Sequence, residues 1–436
     1  MTAVQPARFP RPALPGRRSG ASARRTHVRD GSRGDTRDTT DALVRGPAVL
    51  SYYVVGGATL LLLAIGVVMV LSASSITSIR ETGTPYGYFL DQAKFALVGV
   101  PAMVVASRIP VRWYRRLAWP ALGLGLVLQS LILSPLARGE KGNTNWIYIP
   151  GLGQTIQPSE FLKLALAVWL GLVLARKAHL LHRPMHVLVP GLVVSAVALG
   201  LVLAGHDLGT ALVVAAVVAG AMFVAGVPLR WFGAAVVAGA GLVSFLVIGS
   251  DNRMQRIMAV FGGDCDTSAA CYQTLHGLYG LGTGGISGVG LGASREKWAY
   301  LPEAHNDYIF AILGEELGLL GTLLVLGLFT ALAVGMFRIV RRHPDPFVKI
   351  TTGAVAAWIL GQALINIGVV IGFLPVIGVP LPLVSAGGSA LIATLLAMGV
   401  VLAFARDEPG AAEALRARRG AVRRSLAVVV GGRGRG

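Results

Sequence analysis

Apolar residues gather into ten long blocks between residues 51 and 405, separated by polar gaps. A helix needs about 20 apolar residues to cross roughly 30 Å of hydrocarbon. Blocks of about that length lie near 52–72, 88–107, 117–136, 159–175, 185–204, 207–226, 231–249, 306–337, 349–371 and 384–405. Asp91 and Lys94 interrupt the start of the second, and the eighth is long enough to project beyond the bilayer. The first block begins some fifty residues into the chain and is followed by others of its kind, so it reads as a retained helix rather than a cleaved signal. The pattern predicts an all-α, polytopic membrane protein with about ten transmembrane helices forming one domain over residues 51–405.

The gaps orient these blocks. Arg108, Arg112, Arg115 and Arg116 follow the second block, Arg176, Lys177 and Arg183 the fourth, Arg230 the sixth, and Arg338, Arg341, Arg342 and Lys349 the eighth. These are alternate gaps, and the positive-inside rule puts them all in the cytoplasm. An even number of crossings then leaves both termini cytoplasmic. The outer side receives residues 137–158 and a long extracytoplasmic loop between the seventh and eighth helices, residues 250–305. That loop is far longer than a plain connection of about 12 to 15 residues, which makes it the prime functional candidate.

Composition agrees: 54% of residues are hydrophobic and 14% charged, against about 25% charged in soluble domains. The formal net charge of +18 does not indicate nucleic-acid binding, because the basic residues sit in the inner gaps and the tails. Residues 1–50 carry ten Arg and four Asp with no apolar periodicity, and residues 406–436 carry eight Arg and three acidic residues. Both read as basic cytoplasmic tails, the first disordered, able to meet anionic membrane lipids. A short helix at the membrane surface is expected around residues 411–424.

The sharpest local pattern runs from Leu301 to Phe310 and on through Gly314 to Gly318. It sets Asp307 at the outer lip of the eighth block, where a carboxylate has the chemistry to take a proton from a hydroxyl, such as that of a lipid-tethered sugar. Glu303, His305 and Asp307 equally suit the free N–H groups and dipole of a helix start, and the two roles are compatible. Glu315 and Glu316 lie one to two turns deeper, where ionisable groups are paired or functional, and Glu315 shares a helix face with Asp307. Pro158 and Ser159 suit a helix start with Glu160 in its first turn. Lys163, one turn on, has two candidate partners, Glu160 or a lipid phosphate. Asp207 and Thr210 form a cap pattern. Arg253 and Arg256 are placed to fork onto a pyrophosphate or to meet headgroups.

Other motifs are weaker. Gly280 to Gly285 matches GxGxxG by letter, but it sits in the outer loop with no strand before it, which argues against a dinucleotide site. Gly282 to Gly292 suit tight turns against the membrane domain. Pro375 to Gly388 reads as non-helical chain at or near membrane depth, tolerated only where protein or a cavity shields it. Cys265 and Cys271 are candidates for a small disulfide in an oxidising outer compartment; with His276 they are too few for a zinc site.

Four strings, Gln157 to Lys163, Gly288 to Gly292 with Ser294 and Lys297, Leu301 to Gly318, and Leu374 to Ser389, resemble the FtsW/RodA/SpoVE family of bacterial cell-wall polymerases over residues 51–405. The resemblance implies a peptidoglycan glycosyltransferase that polymerises lipid II into β-1,4 glycan strands at the outer face of the cytoplasmic membrane, at the division septum. Asp307 falls on the family's essential aspartate, the general base on the acceptor hydroxyl. Undecaprenyl pyrophosphate would leave, its charge met by Lys163, Arg253, Arg256 and Lys297. Glu160, Asp207, Glu303 and His305 are further substrate-binding candidates, and Ser159, Glu315, Glu316, Gly387 and Gly388 supporting ones. A divalent cation, Mg2+ or Mn2+, is a further expectation without assigned ligands; no organic cofactor is expected. The implied partners are lipid II, the growing glycan strand, a class B penicillin-binding transpeptidase and other division proteins. The chain departs from the family pattern at Gly205-His206 before Asp207 and at Leu383 to Gly388. The rivals are a flippase for lipid-linked precursors and a non-catalytic scaffold.

Overall fold

The computed structural model describes residues 49–415, except 141–142, 150–153, 182–184, 186–187, 250–253, 255, 259–268 and 299. The tails therefore lie almost wholly outside the described residues. Of the surface helix expected around 411–424, only residues 411–415 are described, and they are helical.

Each apolar block folds as a helix. They are α1 (Leu50–Thr82), α2 (Gly87–Ala106), α3 (Val111–Ser130), α4 (Pro158–Arg176), α5 (Val193–Ala204), α6 (Leu208–Ala225), α7 (Leu229–Ile248), α9 (Ile309–Arg342), α10 (Pro346–Val370) and α11 (Gly388–Arg406). Eight of these are long and apolar enough to cross a membrane, and the segments around α5 and α7 supply two shorter apolar helices. Helix ends follow local chemistry: Pro158 and Pro346 open α4 and α10, the Asp345 carboxylate caps α10, and left-handed Gly83 and Gly226 close α1 and α6.

Two boundaries differ from the apolar pattern. Helix α1 runs ten residues past residue 72 because its polar end satisfies itself: Ser74 Oγ donates to Val70 O at 2.6 Å and Thr82 Oγ1 to Ser78 O at 2.8 Å. Helix α9 starts at Ile309, later than the block suggested, and is interrupted at Gly318 (φ 66°, ψ −162°).

The outer segments are more ordered than plain loops. Three strands form an antiparallel sheet in the order β1 (Ala137–Glu140), β2 (Asn143–Ile149), β3 (Gln154–Ile156), with Arg138 opposite Trp146 and Tyr148 opposite Thr155. The long loop contains α8 (Ala269–Gly284), which packs on α9. The GxGxxG letters thus lie on the end of a helix instead of in a loop.

In the bundle, α4 and α11 are buried nearly all round, whereas α2 and α3 expose most of their surface. Helix α10 packs on α6 and α4, α11 on α2, and α9 on α1. At the other end of the bundle from the outer segments, Arg115 pairs with Asp345 and Arg342 faces Glu408 at 3.7 Å.

The glycines of 284–292 let the outer chain lie against the break in α9. Val289 N–H donates to Glu315 O (2.9 Å), Gly290 N–H to Glu316 O (3.0 Å), and Leu319 N–H to Gly285 O (2.9 Å). A Cβ on Gly288 would lie 2.1 Å from Glu316 O, at a φ of +80°. Gly288→Ala is therefore expected to cost about 1–3 kcal/mol, seen as a lower melting temperature of the detergent-purified protein. Gly282→Ala, in the last turn of α8 with nothing within 4 Å, is expected to leave it unchanged or raise it slightly.

Candidate functional site

The helix ends that adjoin the sheet of β1 to β3 and helix α8 converge on a cavity of about 220 Å³. Its walls come from separate parts of the chain: Trp146 from β2, Glu160 and Lys163 from α4, Asp207 at the head of α6, Gln273 on α8, Gln362 on α10, and Asp307 and Arg256 from the outer segments. Val376 to Pro380, part of the non-helical chain between α10 and α11, closes one side.

Asp307 lies on a turn ahead of α9. Glu303 takes a left-handed conformation (φ 58°), and its carbonyl accepts from Asn306 N–H at 3.0 Å and Tyr308 N–H at 3.2 Å. Tyr308, not Asp307, occupies the cap position of α9 and makes no side-chain cap bond. Asp307 is half-buried on the cavity wall, and a Cβ on Gly378 would lie 3.6 Å from its Oδ2. Burial pushes the Tyr308 phenol up to about 12, the Asp307 charge adding to the rise while Thr274 and Arg256 oppose it.

The other expected residues divide by how far their charge is already met. Arg256 lines the cavity, and its Nη1 donates to Val376 O at 3.3 Å; Arg253 lies outside the described residues. Lys163 lines it too, but its Nζ donates to Glu160 at 2.9 Å and Gln362 at 3.2 Å and lies 4.6 Å from the Trp358 ring centre. The pairing of Glu160 with Lys163 therefore holds within the protein. Asp207 caps α6, accepting from Thr210 N–H (2.8 Å), Thr210 Oγ1 (2.7 Å) and the Gln157 amide (3.3 Å), while remaining on the wall. Ser159 is fully buried at the start of α4.

Lys297 does not reach this cavity. It is buried, donating to Gly292 O at 2.7 Å and Glu316 at 3.2 Å, and borders a second cavity of about 690 Å³. Glu303, Asn306, Trp146, Ala386 and Gly387 line both cavities and so separate them. His305 and Gly388 border only the second; His305 packs against Tyr88 with ring centres 4.7 Å apart, and a Cβ on Gly388 would lie 2.4 Å from the Phe95 ring. Glu315 and Glu316 face inward, as expected at that depth, but serve the outer chain: Ser294 Oγ and Arg295 N–H donate to Glu315 at 2.5 and 2.9 Å, and Ser72 Oγ donates to Glu316 at 2.6 Å. Cys271 is buried and disulfide-bonded; Cys265 lies outside the described residues.

Sequence reading missed Trp146, Gln273, Gln362 and Asn366. The last two carried a signal: they are polar, four apart, and sit in an otherwise apolar span. Among the described residues no three His, Cys, Asp or Glu side chains gather to hold a metal ion.

Because the Glu160–Lys163 pair is buried, removing one partner strands the other charge. Lys163→Met is expected to destabilise the protein by about 3–5 kcal/mol, and Glu160→Gln with Lys163→Met to recover most of that loss. A double-mutant cycle of thermal unfolding in detergent measures both.

The sequence profile of the family described as cell cycle protein, named for FtsW, RodA and SpoVE, matches residues 54–409. A Mycobacterium tuberculosis protein named probable peptidoglycan glycosyltransferase FtsW is 38% identical over 375 residues, covering 86% of this chain and 71% of that one. Its Marinobacter nauticus namesake is 40% identical over 344 residues, covering 78% and 86%. Among solved structures, a chain of a peptidoglycan synthase complex that coordinates polymerization and crosslinking superposes with a TM-score of 0.66 at 26% identity, covering 81% of this chain and 97% of that one. The rod shape determining protein RodA of Thermus thermophilus superposes with a TM-score of 0.61 at 25% identity, covering 82% and 97%.

Proposed function

The chain belongs to the cell cycle protein family of FtsW, RodA and SpoVE, and on that footing we propose that it is a peptidoglycan glycosyltransferase acting on lipid II. Residues 51–405 form its membrane-embedded catalytic domain, with 250–305 outside the membrane and both basic tails in the cytoplasm. The reading is supported most by one observation: Asp307 and Arg256 line the same outer cavity, an acceptor for a proton beside a cation for a departing phosphate.

The Asp307 carboxylate takes the proton from the 4-hydroxyl of the acceptor sugar as that oxygen attacks the anomeric carbon of the donor. The bond from that carbon to the pyrophosphate oxygen breaks, and the undecaprenyl pyrophosphate leaves with the bonding pair. Arg256 stands where it offsets the growing negative charge. Lys163 contributes less than its sequence position suggests, since Glu160 already neutralises it. A single displacement inverts an α-linked donor into a β-1,4 product, and the proton on Asp307 returns to solvent.

The solved relative in a peptidoglycan synthase complex supports pairing with a crosslinking enzyme, of the class B penicillin-binding type that the sequence implies. The relatives named FtsW support a role at the division septum.

Purified protein reconstituted with lipid II is expected to make glycan polymer with no other glycosyltransferase present. Asp307→Ala is expected to lower the rate by at least about 100-fold while still inserting in the membrane. Transbilayer movement of lipid II without polymer points to transport instead, and full polymerisation by the Asp307→Ala protein removes the base assignment.

A further inference from the structure

Three consecutive carbonyls lead up to the Asp307 side chain, and each is met by a donor from another part of the chain. Ala386 N–H donates to His305 O at 3.0 Å. Ser385 Oγ donates to Asn306 O at 2.7 Å, and Asn366 Nδ2 donates to Asp307 O at 2.7 Å.

Two of these donors do more than satisfy a carbonyl. Asn366 Nδ2 sends its other proton to Val379 O at 2.8 Å, so one amide group binds Asp307 to the residue next to Gly378, which lies against the Asp307 carboxylate. Ser385 Oγ, its proton spent on Asn306, accepts Leu381 N–H at 2.8 Å. Each side chain therefore bridges the turn that carries Asp307 and the non-helical chain that forms the opposing wall. Asn366 is 1% exposed and Ser385 6%, and neither borders either cavity. Any effect on the reaction passes through Asp307.

We propose that Asn366 and Ser385 are positioning residues: by clamping the carbonyls of Asp307 and Asn306 to the 376–385 chain they hold the Asp307 carboxylate at the distance from the cavity that proton transfer requires. A misplacement of about 1 Å at a reacting group costs on the order of 100-fold in rate, and a turn outside a helix has no regular hydrogen-bond ladder to resist it. The inference rests on the reading of Asp307 as the base.

The test uses full-length protein in proteoliposomes, with initial polymerisation rates measured over a range of lipid II concentrations. Ser385→Thr keeps the hydroxyl, Ser385→Val matches threonine in shape without it, and Asn366→Leu keeps the approximate shape of the amide without its donor. Loss of the Ser385 hydroxyl and loss of the Asn366 donor are each expected to lower kcat about 10- to 100-fold with KM within about twofold of wild type; Ser385→Thr is expected to restore most of the rate. Melting temperatures of the same preparations separate alignment from stability. Equal rates for Ser385→Thr and Ser385→Val, a change confined to KM, or a kcat that merely follows the folded fraction overturns the proposal. So does failure of both the Ser385→Val and Asn366→Leu proteins to insert, which makes the bonds purely structural. Asp307→Ala, run alongside, distinguishes the two readings. If it polymerises at the wild-type rate, the base assignment falls and takes the clamp with it. If it is inactive while Ser385→Val and Asn366→Leu keep wild-type kcat, only the clamp falls.

Discussion

Backbone that leaves the helix inside a membrane domain must find every hydrogen bond within the protein, because lipid offers none. Residues 371–387 are such a stretch, non-helical between α10 and α11. Its polar groups are met by side chains from several directions. Gln362 Nε2 donates to Pro380 O at 2.9 Å, Asn366 to Val379 O at 2.8 Å, Gln92 Nε2 to Ser385 O at 3.2 Å, and Gly387 N–H to Gln92 Oε1 at 3.2 Å. The same network holds the turn that bears Asp307. The need to satisfy this segment and the need to fix a reactive carboxylate are thus met by one set of amides and hydroxyls.

Charge at this depth obeys a parallel rule: an ionisable group is either neutralised in place or faces a cavity. Glu160 with Lys163 and Glu316 with Lys297 are closed pairs, each largely hidden from solvent. Glu315 is engaged by Ser294 and the Arg295 N–H. Such pairs are costly to break and fix which elements meet. Asp307 and Arg256 lie on the wall of the same cavity, one at the lip of α9 and the other beside Val376.

Among the described residues, three without the conformational freedom of glycine take left-handed backbone, and all three flank the site. His206 (φ 63°) precedes Asp207, Glu303 (φ 58°) opens the Asp307 turn, and Leu383 (φ 67°) lies in the re-entrant chain. Left-handed backbone in such residues persists only where the surroundings over-determine it. Around Leu383 those surroundings are visible: Val384 and Ser385 N–H both return to Leu381 O, at 3.2 and 2.9 Å. At His206 the preceding Gly205 is equally constrained, since a Cβ there would lie 1.8 Å from Asn145 Oδ1. The departures from the family pattern at 205–206 and 383–388 thus fall where backbone geometry is tightest.

Sequence alone determined the bundle. Apolar blocks in lipid must become helices, because the chain has to satisfy its backbone internally; eight are long and apolar enough to cross and two are shorter, and the positions of Arg and Lys in alternate gaps set an expected orientation. The residues around Asp307 were legible for a local reason: acidic groups and an Asn-Asp pair stand out at the edge of an apolar run. Tertiary structure decided which charges remain available. Spacing made Lys163 and Lys297 look equal to Arg256 as partners for a phosphate, yet Glu160 is one turn from Lys163 while Glu316 reaches Lys297 across nineteen residues of sequence, and no periodicity encodes the second pairing. The strands of 137–156 and helix α8 were hidden because their sequences are short or rich in glycine and gain their order from packing against the bundle. The bonds from Asn366 and Ser385 to the Asp307 turn span 59 and 79 residues; only folding brings such distant groups within hydrogen-bond reach.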